Sequence, residues 1–184
     1  MKHSYLLIGI KTIPFCKRIL NYGFALKYLN RILLIFQNAL FSSLLAWREK
    51  RIFGAAVKQQ QLPESPLFII GHWRTGSTLL HQLLAKDPNF CTPTLFQCAQ
   101  PDHFLYSRKF FEPVMRKALS NTRPMDSVKM GIDEPQEDEY ALLKLLEGTP
   151  LEKLVFSADG DDFLNELEKT TAAEDMVQLD NAYT

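Results

Sequence analysis

The stretch from Pro66 to Leu80, PLFIIGHWRTGSTLL, constrains what this chain can fold into more than any other. The apolar run between Pro66 and Gly71 reads as a short buried strand, and Leu79, Leu80, Leu83 and Leu84 recur as one face of a helix. The loop between them is rich in hydroxyl groups and carries a glycine at each end. Strand, glycine loop and helix make an anion-binding arrangement, because the N–H groups of the helix N-terminus and the positive end of its dipole point into the loop. A phosphate is the default guest.

The pattern Gly71-x-x-x-x-Gly76-Ser77-Thr78 nearly matches the nucleotide-binding loop GxxxxGK[ST], but Ser77 stands where that motif needs lysine. Without the lysine, an ATPase, GTPase or kinase lacks the cation that reaches the terminal phosphates. The cation nearest the loop is Arg74, two residues before Gly76. Arg74-Thr75-Gly76-Ser77-Thr78-Leu79-Leu80 resembles the phosphosulfate loop of the sulfotransferases that use 3'-phosphoadenosine 5'-phosphosulfate. Two hydroxyl residues are exchanged against that family's pattern, and serine and threonine offer the same donor.

The resemblance runs on through Pro93-Thr94-Leu95-Phe96-Gln97, Pro101-Asp102-His103-Phe104, Arg123-Pro124-Met125-Asp126 and the acidic start Asp133-Glu134-Pro135-Gln136-Glu137-Asp138-Glu139, so it covers about Pro66 to Leu146. Several bacterial sulfotransferases show a similar order of segments. The resemblance implies an α/β fold: a partial P-loop-like parallel sheet flanked by helices, here preceded by a basic amphipathic helical segment over 1–60, with the sulfotransferase part over 61–184. It also implies transfer of a sulfuryl group from 3'-phosphoadenosine 5'-phosphosulfate, as co-substrate, to a hydroxyl or amine on a small molecule, lipid or carbohydrate, with no metal required. Arg74, Thr75, Gly76, Ser77 and Thr78 would bind the cofactor, and Arg74 would also neutralise charge developing on the bridging oxygen.

The base is less sharply marked. No acid lies between Asp87 and Asp102, and Gln97 cannot usefully accept a proton. Glu137 is the first candidate, Glu134 the second and His103 the third, since a carboxylate in a partly desolvated cleft can be tuned towards the working pH. The competing reading of the acids is structural, as first-turn residues that favour a helix through its dipole.

Net charge is zero, which argues against a general nucleic-acid binder. Its distribution is uneven: residues 1–60 carry ten Lys or Arg against the single Glu49, and residues 130–184 carry fifteen acids against three lysines. The two halves can neutralise one another in the fold. Leu29, Leu33, Phe36, Leu40, Leu44 and Trp47 recur at three- and four-residue steps, which predicts a helix from Phe24 to Trp47 with a strong apolar face. Its uncharged run from Ile32 to Trp47 is shorter than a bilayer span. That helix either packs on the catalytic part or lies on an anionic membrane surface, anchored by basic residues within 24–51. The short apolar run after Met1 is interrupted by Lys11 and is not read as a signal sequence. Cys16, Cys91 and Cys98 have no metal-type spacing and read as reduced, buried thiols, consistent with a cytoplasmic protein that is at most peripheral to a membrane.

Further expectations are a strand over Thr94 to Cys98, a helix from Phe104 to Leu119, and a helix from Asp133 to Glu147 opened by an Asp133–Gln136 capping box. Leu154-Val155-Phe156 is open between edge strand and helix, and a short helix is expected from Phe163 to Lys169. The Arg and Ser that hold the cofactor's 3'-phosphate in the family are not found after Pro150. The chain therefore reads as the amino-terminal portion of a sulfotransferase, or as a silent relative that binds only a phosphate ligand or a partner.

Overall fold

The computed structural model describes residues 4–23, 26–61, 66–71, 75–119 and 131–156. Among them are seven α-helices: α1 (Thr12–Tyr22), α2 (Leu29–Gln59), α3 (Ser77–Leu84), α4 (Leu95–Ala99), α5 (Phe104–Ala118), α6 (Glu139–Leu145) and α7 (Pro150–Phe156). The Arg123 to Ser127 link and the expected Phe163–Lys169 helix lie outside the described residues.

The long helix α2 organises the rest. Ile32, Ile35, Ala39, Ser42, Leu45 and Glu49 are buried at three- and four-residue steps, so they form one inward face. Ile32, Ile35 and Ala39 join Leu7, Ile10, Phe15, Leu143 and Val155 in the hydrophobic core, which thus draws on residues from both sides of residue 60. Each fully buried aliphatic or aromatic side chain there contributes about 1.5–3 kcal/mol. Polar groups fix the register. Asn38 Oδ1 accepts from the Gly9 N–H at 2.9 Å, Ser43 Oγ accepts from the Thr12 N–H at 2.9 Å, and Glu49 Oε2 accepts from the Tyr106 N–H at 2.9 Å. Gly9 sits in the left-handed region with φ of 90°, and a Cβ there would collide with the Ala99 carbonyl oxygen.

The helix is longer than its uncharged run suggests. Leu26–Gln59 has the length and composition to cross a membrane, so length does not exclude a span as the sequence reading held. The hydrogen bonds of its inner face do tie it to α1, α5 and the first residues of the chain. Packing on the rest of the protein, one of the two expected roles, is therefore met on one face.

The expected strands are absent from the described residues, where the β-type pairing is an isolated antiparallel bridge between Thr94 and Pro135. Thr94 to Cys98 is instead the start of α4, because a complete capping box closes on it. Thr94 Oγ1 accepts from the Gln97 N–H, and Gln97 Oε1 accepts from the Thr94 N–H at 2.7 Å. The segment 66–71 is not a strand either, and Ile70 is 95% exposed, as an apolar strand without neighbouring strands to bury it would be. The helix expected from Asp133 begins only at Glu139. Residues 131–137 form a strap across α4, with the Leu95, Phe96 and Gln136 N–H groups bonding to the carbonyls of Glu134, Ile132 and Pro93. Asp133 is not a helix cap: Arg108 and Arg116 both bind its carboxylate.

The charge asymmetry is partly resolved inside the fold. Lys17 pairs with Glu147 at 3.0 Å at the surface and Arg18 with Glu152 in the interior, while Lys11 pairs with Asp102, which lies outside the acidic segment, at 2.6 Å. Of the three cysteines, all free thiols, Cys98 is buried, Cys16 half-buried and Cys91 exposed, so only Cys98 meets the expectation of burial.

Candidate active site

The loop helix starts on Gly76, which caps α3 in the left-handed conformation with φ of 87°. That geometry turns the chain so sharply that Ser77 and Thr78 form the first turn immediately, with their N–H groups lacking intrahelical acceptors. No acid occupies that turn. An ideal Cβ on Gly71 would lie 3.3 Å from Thr75 Oγ1, so the two ends of the loop come close together. Thr75, Gly76, Ser77 and Thr78, the described members of the expected loop site, therefore lie together at the start of α3. His72, Trp73 and Arg74 lie outside the described residues. Helix α3 has no buried side chain among the described residues, and it is tied to the following segment by His81, whose Nε2 bonds to Thr92 Oγ1.

Two residues beyond Thr92, Thr94 opens α4 and pairs with Pro135, so the 92–94 segment has α3 on one side and the 131–137 strap on the other. That strap carries the two candidate carboxylates. Glu134 is half-buried and Glu137 exposed, and the Glu137 carbonyl accepts from Cys98 Sγ at 3.5 Å. A cluster of Arg108, Glu112, Arg116 and Asp133 fastens the strap to α5.

His103 behaves differently from the two acids. It is fully buried at the N-terminal end of α5, its Nδ1 bonds to Ser107 Oγ at 2.9 Å, and its Nε2 has no hydrogen-bond partner among the described residues. Burial pushes its pKa below the ordinary histidine value against the opposing pull of Asp102. That direction favours the neutral imidazole a base requires, but the seat of the ring is enclosed. Among the described residues no group of His, Cys, Asp and Glu is placed to hold a metal ion.

Comparison with known proteins bears on the same region. The profile of the Sulfotransferase family matches residues 66–175, more than half of the chain. The chain belongs to the Sulfotransferase family. It is 39% identical over 109 residues to the omega-hydroxy-beta-dihydromenaquinone-9 sulfotransferases of Mycobacterium bovis and Mycobacterium tuberculosis. Those matches cover 59% of this chain and 28% of each relative, so the chain spans well under a third of the relatives' length in that alignment. No solved structure matches.

For this sulfotransferase-family chain the loop start, the α3 helix and the acidic segment were all visible in the sequence. Lys144 was not. It is 3% exposed on α6, and its Nζ donates to the Cys98 carbonyl at 2.6 Å and the Tyr140 carbonyl at 3.2 Å. Burial pushes its pKa down to about 8 and that of the neighbouring Cys98 thiol up to about 11. The lysine joins α6 to the end of α4 just behind the strap. A lone lysine within Ala141-Leu142-Leu143-Lys144-Leu145-Leu146 was the available signal, since a charge amid leucines in a short helix has few ways to avoid the core.

Proposed function

We propose that the chain contributes the phosphosulfate-binding part of a sulfuryl transferase, which moves a sulfuryl group from 3'-phosphoadenosine 5'-phosphosulfate to a hydroxyl or amine of an acceptor. The observation that carries the reading is Gly76 in the left-handed conformation at the start of α3, with Ser77 and Thr78 in an acid-free first turn. Such a turn suits a dianionic phosphate and repels no part of it. N–H groups from Thr75 to Thr78 would hold the 5'-phosphate, the hydroxyls of Ser77 and Thr78 would add donors, and Arg74 would supply the cation that this loop lacks after its second glycine. Fixed donors aimed at developing charge are worth about 3–4 kcal/mol each in other enzymes.

Glu137 is the carboxylate proposed to take the acceptor's proton, with Glu134 behind it. Both ride on a strap pinned to α4 beside the segment that also holds α3, and Glu137 is open to an incoming acceptor. The relatives are named for an omega-hydroxylated dihydromenaquinone, which supports a hydroxyl-bearing lipid or small molecule as acceptor. Calorimetry with adenosine 3',5'-bisphosphate tests the loop: micromolar binding lost in Arg74→Ala supports it, and equal binding by both chains overturns it. Turnover with labelled donor separates an active chain from one that binds the nucleotide silently. A Glu137→Gln chain should then keep nucleotide affinity while losing turnover.

A further inference from the structure

We propose that the outer face of α2 seats this chain on an anionic membrane surface, with the helix lying in the plane of the headgroups. The proposal stands on α2 and the 3-10 turn Leu26–Tyr28 that leads into it, and is independent of sulfuryl transfer. Leu26, Leu29, Leu33, Leu40, Leu44 and Trp47 follow one another at three-, four- and seven-residue steps, and each is at least 42% exposed. They lie opposite the buried face of Ile32, Ile35, Ala39, Ser42, Leu45 and Glu49. From Leu29 to Trp47 the stripe extends about 27 Å at 1.5 Å per residue. No charge interrupts it between Ile32 and Trp47.

The ends of the stripe identify the occupant. Lys27 sits over the Tyr28 ring at 5.0 Å, and Arg51 over the Trp47 ring at 4.3 Å, so each end pairs an aromatic ring with a cation. Lys50 adds positive charge in the turn after Trp47, while Arg48 lies over the Tyr106 ring of α5 at 5.7 Å. The single acid in residues 1–61, Glu49, is turned inward onto α5 and offsets none of the charge on the outer face. An apolar stripe flanked by interfacial aromatics and cations matches a leaflet of anionic headgroups over acyl chains. A second copy fits worse, because antiparallel pairing of two such faces would set Lys27 against Arg51. A bilayer-spanning pose is opposed by the inner face, whose Asn38, Ser43 and Glu49 are hydrogen-bonded to polar backbone of other elements. The exposed leucines of α3 carry no comparable argument, since its residues Ser77–Leu84 include no Lys or Arg.

Flotation of the full chain with phosphatidylcholine vesicles, with and without roughly one-third phosphatidylglycerol, tests this. The chain should float with the anionic vesicles, and about tenfold more weakly with neutral ones, at raised salt, or as Leu44→Ser/Trp47→Ser. No flotation overturns the proposal, as does flotation that the double substitution leaves unchanged, or a vesicle-free dimer that the substitution splits. A second measurement covers the case in which the double variant fails to fold. In a Trp73→Phe chain Trp47 is the sole tryptophan, and brominated lipids labelled near the headgroup should quench it more than lipids labelled near the bilayer centre. The reverse order would overturn the in-plane pose.

Discussion

Arg18 and Glu152 meet as an ion pair inside the protein, Arg18 Nε donating to Glu152 Oε1, with side chains 1% and 3% exposed. The pair closes a larger network. Arg18 also donates to the carbonyls of Pro14, Leu143 and Leu146, and Glu152 accepts from Tyr22 Oη at 3.2 Å and the Gly148 N–H at 3.0 Å. It therefore locks α1 against both α6 and α7. Removing one partner leaves the other charge buried without compensation, which costs about 3–5 kcal/mol. Arg18→Met should lose that much in urea unfolding, and the Arg18→Met/Glu152→Leu double variant should recover most of it. A single variant within about 1 kcal/mol of the parent would show that the pair is not buried in solution.

Glu49 links α2 to the first turn of α5, and burial raises its pKa above the ordinary 4.5 in spite of the N–H groups of Tyr106 and Leu105. Between the unfolded and folded values the folded chain binds more protons, so this residue's contribution to stability falls as pH rises through that interval. Glu49→Gln keeps an oxygen acceptor for Tyr106 and removes the titration. The stability of the variant relative to the parent should therefore be higher at pH 7 than at pH 4. Glu49→Ala removes the cap as well and should cost about 1 kcal/mol more than Glu49→Gln. A parent-to-Gln difference that does not change with pH would refute the assignment.

Lys144 gives the opposite slope. Its folded pKa of about 8 lies below the ordinary 10.5, so the unfolded chain binds more protons between those values and stability rises with pH. The Cys98 thiol, raised from 9.0 to about 11, opposes this where it titrates, and the slope from Lys144 is cleanest between about 8 and 9. Chemical denaturation across that interval should show increasing stability in the parent and none in Lys144→Met. An unchanged slope in Lys144→Met would place the titrating group elsewhere.

What the sequence made legible was periodic or local. The apolar spacing of α2 and α5 needs no knowledge of a partner, and Gly76 before Ser77 marks the start of α3 by its own conformational freedom. A βαβ template places its second strand at Thr94 to Cys98, but the local Thr94-x-x-Gln97 capping box starts a helix there instead. Asp133 and Gln136 offered the same kind of signature, yet Arg108 and Arg116 engage Asp133 from α5. That competition arises between residues far apart in the chain, as does the capping of α5 by Glu49, and neither can be read from spacing. The expected sheet depends on strand partners that the described residues do not provide.

Gly76 offers the sharpest check on the loop itself. A Cβ at this position would meet nothing within 4 Å, so substitution acts through the backbone alone. At φ of 87° an alanine is strained by about 1–2 kcal/mol, whereas asparagine tolerates the left-handed region better. If the chain relieves the strain by unwinding the first turn of α3, the N–H groups of Ser77 and Thr78 turn away from the cradle. Gly76→Ala should then bind adenosine 3',5'-bisphosphate about tenfold more weakly than the parent, with Gly76→Asn between the two. Equal affinities in all three chains, measured by calorimetry on folded protein, would mean that the left-handed turn does not shape the anion site.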